Sequence, residues 1–234
     1  MVEKFEKHET LFTILLIVVY LVSNSLCIRL FGEISLEGAL LNAFLSLFFF
    51  GIVCLLKKIS YYGFTKVKNP KEYLYFLPLL LIVSVNLWGG FSRSASFETI
   101  LFHVLTMISV GFAEELLFRG FLFRMMEKGN VKTAIGVSSV TFGVGHIINL
   151  LNGSDFLPTL FQIVYAISIG YLFCTIFYKS NSLIPCILTH SLFNSLSVFH
   201  VEGALSLYVE PIFLTAIPLL YARYLNLKIP DNSR

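Results

Sequence analysis

Apolar segments long enough to cross a lipid bilayer occupy most of this chain. Crossing the hydrocarbon core takes roughly 17 to 25 helical residues, and only short polar connections separate the segments that approach this length. The sequence therefore predicts an all-α, polytopic membrane helical bundle that forms one integral membrane domain over residues 1–234. The eight predicted transmembrane segments are Leu11–Ile28, Leu36–Leu56, Tyr73–Trp88, Thr99–Phe123, Thr133–Leu151, Leu157–Phe177, Leu183–Phe199 and Leu207–Leu225.

The composition and the positions of the basic residues agree with this interpretation. Charged residues make up only 13% of the chain, whereas soluble domains contain about 25%. Cytoplasmic loops of membrane proteins are enriched in Lys and Arg. With the N-terminus inside, all 17 basic residues except Arg29 and Arg93 lie on or towards the cytoplasmic side. Both termini are therefore predicted to be cytoplasmic, and nothing in the positive charge indicates binding to nucleic acid.

Two adjacent glutamates, Glu114 and Glu115, lie inside the fourth apolar segment. Ionisable groups at such a depth are costly and usually line a polar cavity that has a function. Arg119 shares a helical face with Glu115, whereas Glu114 is rotated away by about 100°. We expect Glu115 to pair with Arg119 and Glu114 to face a cavity as a general base. A purely structural ion pair is the alternative for Glu115 and Arg119, but it does not explain Glu114.

Two later segments contain histidines at helical spacing. His146 follows Phe142 by four residues and Asn194 follows His190 by four, so each pair shares one helical face. A single intramembrane histidine is often only a hydrogen-bonded structural residue, but two of them with Glu114 and an asparagine are the components of a hydrolytic site. The remaining histidines are predicted to be structural: His8, His103 and His200.

At these positions the sequence resembles the intramembrane proteases of the CAAX prenyl protease and bacteriocin-processing type, the CPBP or Abi family. The family motifs are Glu-Glu-x-x-x-Arg, Phe-x-x-x-His and His-x-x-x-Asn or Asp, and all three are present in order. Together they indicate a CPBP protease core at about residues 97–200. The matching residues are Glu114, Glu115 and Arg119; Phe142 and His146; and His190 and Asn194.

The resemblance implies an endopeptidase that acts on membrane-associated peptides or proteins near the cytoplasmic side of the bilayer. Relatives cleave lipid-modified proteins in eukaryotes and peptide precursors, bacteriocins or unknown substrates in bacteria. We expect a protein of the bacterial plasma membrane whose active site lies towards the cytoplasm. A peptide precursor is then the favoured substrate, ahead of a prenylated protein.

In the mechanism favoured by these residues, Glu114 is held near His146 and activates a water molecule that attacks the scissile carbonyl. Glu114 then returns the proton to the leaving amine. His190 and Asn194 are expected to donate hydrogen bonds to the developing oxyanion. The residues expected to support them are Glu115, Arg119 and Phe142.

No cofactor is favoured, but a metal-dependent alternative stays open. In this alternative Glu114, or Glu115, binds Zn²⁺ together with His146 and His190, and a bound water is the nucleophile. Against it, the histidines lie on separate helices without a compact His-Glu-x-x-His arrangement. Asn194 is also a poor zinc ligand and a good hydrogen-bond donor.

Two other classes of function are compatible with a buried Glu/His cluster. A proton-coupled carrier would use these residues as a proton relay, although such carriers usually contain internal repeats, which this sequence does not show. A non-catalytic membrane scaffold or immunity factor would keep the fold and bind a partner. The three intact motifs argue against the scaffold or immunity factor.

Overall fold

Eight helices run through the computed structural model of this chain, which describes residues 5, 7–67 and 76–229. No strand occurs in these residues, so the predicted all-α class is confirmed. The predicted start of the third segment, Tyr73, lies outside the described residues. Four basic residues that were predicted to be cytoplasmic also lie outside them: Lys4, Lys68, Lys71 and Arg234. The helices are α1 Glu9–Phe31, α2 Leu36–Leu55, α3 Leu77–Leu87, α4 Phe97–Glu127, α5 Val131–Leu151, α6 Phe156–Ser180, α7 Ile184–Phe199 and α8 Leu205–Lys228.

Within the described residues, six of these helices are long and apolar enough to cross a membrane, which identifies an integral membrane protein. The two exceptions are α3 and α7, which are shorter apolar helices. The predicted count of about eight transmembrane helices is therefore not confirmed, and the two shorter helices correspond to the third and seventh predicted segments.

Local sequence signals set several helix boundaries. Ser35, Ser96 and Asn130 precede α2, α4 and α5, and each side chain accepts a hydrogen bond from a backbone N–H three residues later. These caps satisfy donors that have no partner inside the helix. Pro185 occupies the first turn of α7, where a missing N–H costs nothing. Helix α6 ends at Ser180 and is followed by Asn181, whose φ of 56° is left-handed.

Contacts between helix ends identify one end of the bundle, here called the Lys128 end. Glu9 at the start of α1 forms an ion pair with Lys128, which follows α4. Lys179 near the end of α6 donates a hydrogen bond to the backbone carbonyl of Ile229, which follows α8. The start of α1 and the ends of α4, α6 and α8 therefore lie together.

The opposite end of the bundle, here called the Arg29 end, contains the other loops. Arg29 near the end of α1 donates to the backbone carbonyl of Leu151 at the end of α5. The backbone N–H of Ser92, in the connection between α3 and α4, donates to the carbonyl of Phe199 at the end of α7. The helices thus alternate in direction between two defined ends.

Helices α5 and α6 pack in direct contact at Gly143, and this contact gives a first prediction. A Cβ at position 143 would lie 2.4 Å from Cγ1 of Ile167 and 2.8 Å from the backbone oxygen of Ile163. The substitution Gly143→Ala is expected to lower the free energy of unfolding by about 1–3 kcal/mol, because α5 must move away from α6. Thermal unfolding of the detergent-solubilised protein measures the change.

Gly136 provides the control in the same helix, since a Cβ there would meet nothing within 4 Å. Gly136→Ala should leave the unfolding temperature unchanged or raise it slightly, because Ala favours a helix more than Gly does. Equal shifts for the two variants would contradict the close packing of α5 against α6 as the cause.

Candidate active site

The middle of α4 departs from regular α-helical geometry. Residues Leu116–Phe123 form a π-helix, and all of them are buried. Such segments are rare and occur frequently at functional sites. The π-helix begins directly after Glu115 and contains Arg119, so it lies at the first predicted motif. Sequence periodicity predicts a regular helix here, so the π-helix was not expected.

Glu115 and Arg119 form an ion pair that is completely buried. Nη1 of Arg119 donates to Oε1 of Glu115 at 3.0 Å, and neither side chain is exposed. Nδ1 of His190 lies 2.8 Å from the same Glu115 oxygen. The Arg119 guanidinium also lies over the ring of Phe142, 4.2 Å from its centroid. The structure therefore brings four of the predicted site residues into one contact network around Glu115.

Glu114 lies beside this network and reaches a cavity. Its Oε1 accepts a hydrogen bond of 3.0 Å from the hydroxyl of Tyr20 in α1. Its Oε2 lies 3.5 Å from Nε2 of His190, and its side chain remains 15% exposed. Neighbouring carboxylates thus have different surroundings, because Glu115 is enclosed by Arg119 and His190 whereas Glu114 borders open space. This contrast can give the two acids different chemical roles.

Tyr20 contacts the candidate site, and nothing in the sequence indicated this contact. It lies in the first apolar segment, 94 positions before Glu114, and no motif includes it. Its ring packs among the buried residues while its hydroxyl points to the carboxylate. A tyrosine in an apolar helix is common enough that no sequence signal singles it out.

His146 and Asn194 line the same cavity as Glu114. The regular part of α5 ends at Gly145, so His146 lies where the helix is interrupted. Nδ1 of His146 is 3.1 Å from the carbonyl oxygen of Phe142. Because a carbonyl only accepts hydrogen bonds, Nδ1 has the proton, and in a neutral ring Nε2 is left as the acceptor. Asn194 also borders a second, smaller cavity that reaches His190.

Two of the histidines predicted to be structural have defined partners. Nε2 of His103 lies 3.0 Å from the backbone oxygen of Asn194 and 3.1 Å from Oγ of Ser197. These contacts connect α4 to α7 just beyond the predicted catalytic asparagine. Nε2 of His200 lies 3.0 Å from Oε2 of Glu210, which is nearly fully buried.

The cavity has a volume of about 340 Å³, within the range of roughly 300–1,000 Å³ that is typical of ligand sites. Its inner wall includes Tyr20, Glu114 and His146, and its outer wall includes Glu33 and Asn152. Glu33 is an exposed residue of the α1–α2 loop, so the cavity opens at the Arg29 end of the bundle.

The position of the cavity mouth bears on two predictions, the cytoplasmic location of both termini and the active site on the cytoplasmic side. Glu9 at the start of α1 lies at the Lys128 end, opposite the cavity mouth at Glu33. Termini in the cytoplasm therefore place the cavity mouth outside, whereas an active site open to the cytoplasm needs the reverse orientation. The cytoplasmic termini and an active site at a depth nearer the cytoplasmic side both stay predictions.

The zinc alternative requires three donor side chains that converge on one point. Among the residues that the structure describes, no three His, Cys, Asp or Glu side chains are grouped so that they could hold a metal ion. The described arrangement of Glu114, His146 and His190 therefore does not form a three-ligand zinc site.

Part of the chain matches a known protein family. The family described as type II CAAX prenyl endopeptidase Rce1-like matches residues 96–196. This segment extends from the N-cap of α4 into α7 and contains all three motifs. The match confirms the predicted resemblance. No curated protein and no solved structure matches the chain significantly.

Proposed function

From the match of residues 96–196 to the Rce1-like family of CAAX prenyl endopeptidases, we propose that this membrane protein hydrolyses peptide bonds with a water molecule activated by Glu114. The observation that supports this most directly is the environment of the Glu114 carboxylate. Tyr20 and His190 hold it at the wall of a cavity, while the neighbouring Glu115 is neutralised by Arg119. A fixed carboxylate with access to water is what a general base requires.

The proposed reaction begins with a water molecule between Glu114 and His146. Glu114 accepts one proton of this water, and Nε2 of His146 accepts a hydrogen bond from the other. The water oxygen forms a bond to the scissile carbonyl carbon, which gives a tetrahedral intermediate. As the carbon–nitrogen bond breaks, Glu114 delivers its proton to the leaving amine, so the enzyme returns to its starting state.

His190 has a different role in this proposal from the one expected from its motif. Its two ring nitrogens face Glu115 and Glu114, so it is already engaged by the two carboxylates. We assign His190 to positioning Glu114 and leave the carboxamide of Asn194 as the oxyanion donor. The buried Glu115–Arg119 pair fixes His190 in turn, because Oε1 of Glu115 accepts from both partners.

Asn194→Ala tests this assignment of the oxyanion donor. Loss of one preorganised donor is expected to lower kcat by about 10²–10³-fold, equivalent to about 2.7–4 kcal/mol, with little change in KM. Asn149→Ala is the control, because Asn149 is another amide of the cavity wall and bonds to Gln162. A similar loss of kcat in both variants would show that general disturbance of the cavity, rather than a missing donor, is responsible.

The proposed substrates are membrane-associated peptides or proteins. Host cells that produce the wild-type chain or Glu114→Gln at matched abundance give the direct test, by mass spectrometry of membrane and secreted peptides. Glu98→Gln is the control, because this exposed glutamate lies in the first turn of the same helix. Precursors that stay uncleaved only with Glu114→Gln would support the protease and identify the substrate from the missing termini.

The same measurement distinguishes the other classes of function. Identical peptide profiles in cells that still need the protein would exclude catalysis as its role. Proton-coupled solute uptake that depends on Glu114 would then indicate a carrier, and full biological activity of Glu114→Gln would indicate a scaffold.

A further inference from the structure

The two ends of the bundle differ strongly in charge. At the Lys128 end, only Glu9 and Glu127 accompany a large group of basic residues, within the part of the chain that the structure describes. The basic residues of this end are Lys7, Lys57, Lys58, Lys66, Arg124, Lys128, Lys132, Lys179, Arg223 and Lys228.

The Arg29 end has the opposite balance in the described residues. Its basic residues are Arg29 and Arg93, and the guanidinium of Arg29 is bound to a backbone carbonyl. Acidic residues outnumber them at this end. They are Glu33, Glu37, Glu98, Asp155, Glu202 and Glu210.

Enrichment of Lys and Arg marks the cytoplasmic side of a membrane protein, and acidic residues contribute little to orientation. The Lys128 end therefore faces the cytoplasm. Because the cavity that contains Glu114 and His146 opens at Glu33, on the opposite end, we infer that the active site is entered from the extracytoplasmic face. The direction of the opening is a property of the fold. Only the cleavage of a substrate inside the cavity rests on the proposed function.

The inferred side of entry defines a class of substrate. A C-terminal tail that ends in the cytoplasm cannot reach a mouth on the other face, so prenylated cytoplasmic proteins are excluded as substrates. The accessible peptide bonds belong to exported precursors or to the extracytoplasmic segments of membrane proteins. Glu33 on the cavity wall and the excess of acidic residues at this end of the bundle attract positive charge. Segments with Lys or Arg near the cleaved bond are therefore the preferred substrates.

Labelling of single cysteines tests the side of entry without requiring activity. The native cysteines Cys27, Cys54, Cys174 and Cys186 are free, and replacing them with Ala gives a background for two exposed positions. Glu33→Cys reports the cavity mouth and Lys132→Cys reports the opposite end. A sulfonated maleimide that does not cross membranes is applied to intact cells, to opened cells and to detergent-solubilised protein.

In intact cells, Glu33→Cys should be labelled and Lys132→Cys should be labelled only after the cells are opened. Both variants should react in detergent, which shows that each thiol is present and reactive, and their unfolding temperatures should match that of the cysteine-free background. Any other pattern in intact cells would overturn the inference. A protease-sensitive tag inserted after Gly153, an exposed loop residue of the Arg29 end, repeats the test with the native cysteines in place. Resistance of this tag to protease in intact cells would also overturn the inferred side of entry.

The peptides identified by mass spectrometry test the substrate class separately. Cleaved bonds should lie in exported or extracytoplasmic segments with Lys or Arg nearby, and cleavage confined to cytoplasmic tails would overturn the class. Labelling of Glu33→Cys in intact cells without any cleaved peptide would establish the direction of the cavity and refute the protease proposal. The two failures are therefore distinguishable.

Discussion

Glu114→Gln is expected to lower kcat for peptide cleavage by about 10²–10⁴-fold, the contribution typical of a general base. The amide cannot accept a proton from water, but it has nearly the same shape as the carboxylate and can still accept the hydrogen bond from Tyr20. Substrate binding and the unfolding temperature should therefore change little. Cleavage by purified protein in lipid vesicles, with a substrate identified in cells, measures the effect.

Two comparisons make this result specific. Glu98→Gln removes an exposed carboxylate from the same helix and should retain wild-type kcat. Chelation tests the zinc alternative, because glutamate-activated water predicts unchanged activity. Loss of activity on chelation with recovery on adding Zn²⁺ would replace the proposed mechanism, and wild-type kcat in Glu114→Gln would remove Glu114 from it.

Arg119→Met is expected to destabilise the protein by about 3–5 kcal/mol, because removal of one partner of a buried ion pair leaves the other charge uncompensated. Glu115 has no exposed surface, so water cannot replace the guanidinium. The remaining partner of Oε1 is the ring of His190. Thermal unfolding in detergent, with the amount of folded protein in membranes as a second readout, measures the loss.

The double variant Glu115→Gln with Arg119→Met separates charge from packing. It removes both charges and keeps an amide oxygen that accepts from His190, so it should recover most of the lost stability. A double variant as unstable as Arg119→Met would instead assign the loss to the contacts of the guanidinium with the rings of Phe142 and Phe173.

Hydropathy alone predicted the all-helical membrane class and the positions of the helices. Helical spacing also predicted that Arg119 would meet Glu115, because residues four apart lie on one face whatever surrounds the helix. The structure contains this contact at 3.0 Å. The three motifs predicted the resemblance to the family, and the match over residues 96–196 confirms this resemblance. The catalytic roles of Glu114, His146 and Asn194 remain proposals.

Other features of the site depend on how distant helices pack. Tyr20 reaches Glu114 from a helix far away in sequence, and His190 faces both glutamates rather than open space. Periodicity describes the face of one helix and gives no information on which helix lies against it. The same limit applies to the π-helix after Glu115, whose residues are all buried by neighbouring helices.

The sequence by itself determined that the chain lies in a membrane, which residues form its helices and which end of the bundle is basic, because hydropathy and charge are properties of single segments. Only the tertiary structure decided that the cavity beside Glu114 opens at Glu33, on the end opposite Lys128. The direction of a cavity depends on where several helices separate, and that follows from packing between segments distant in the chain.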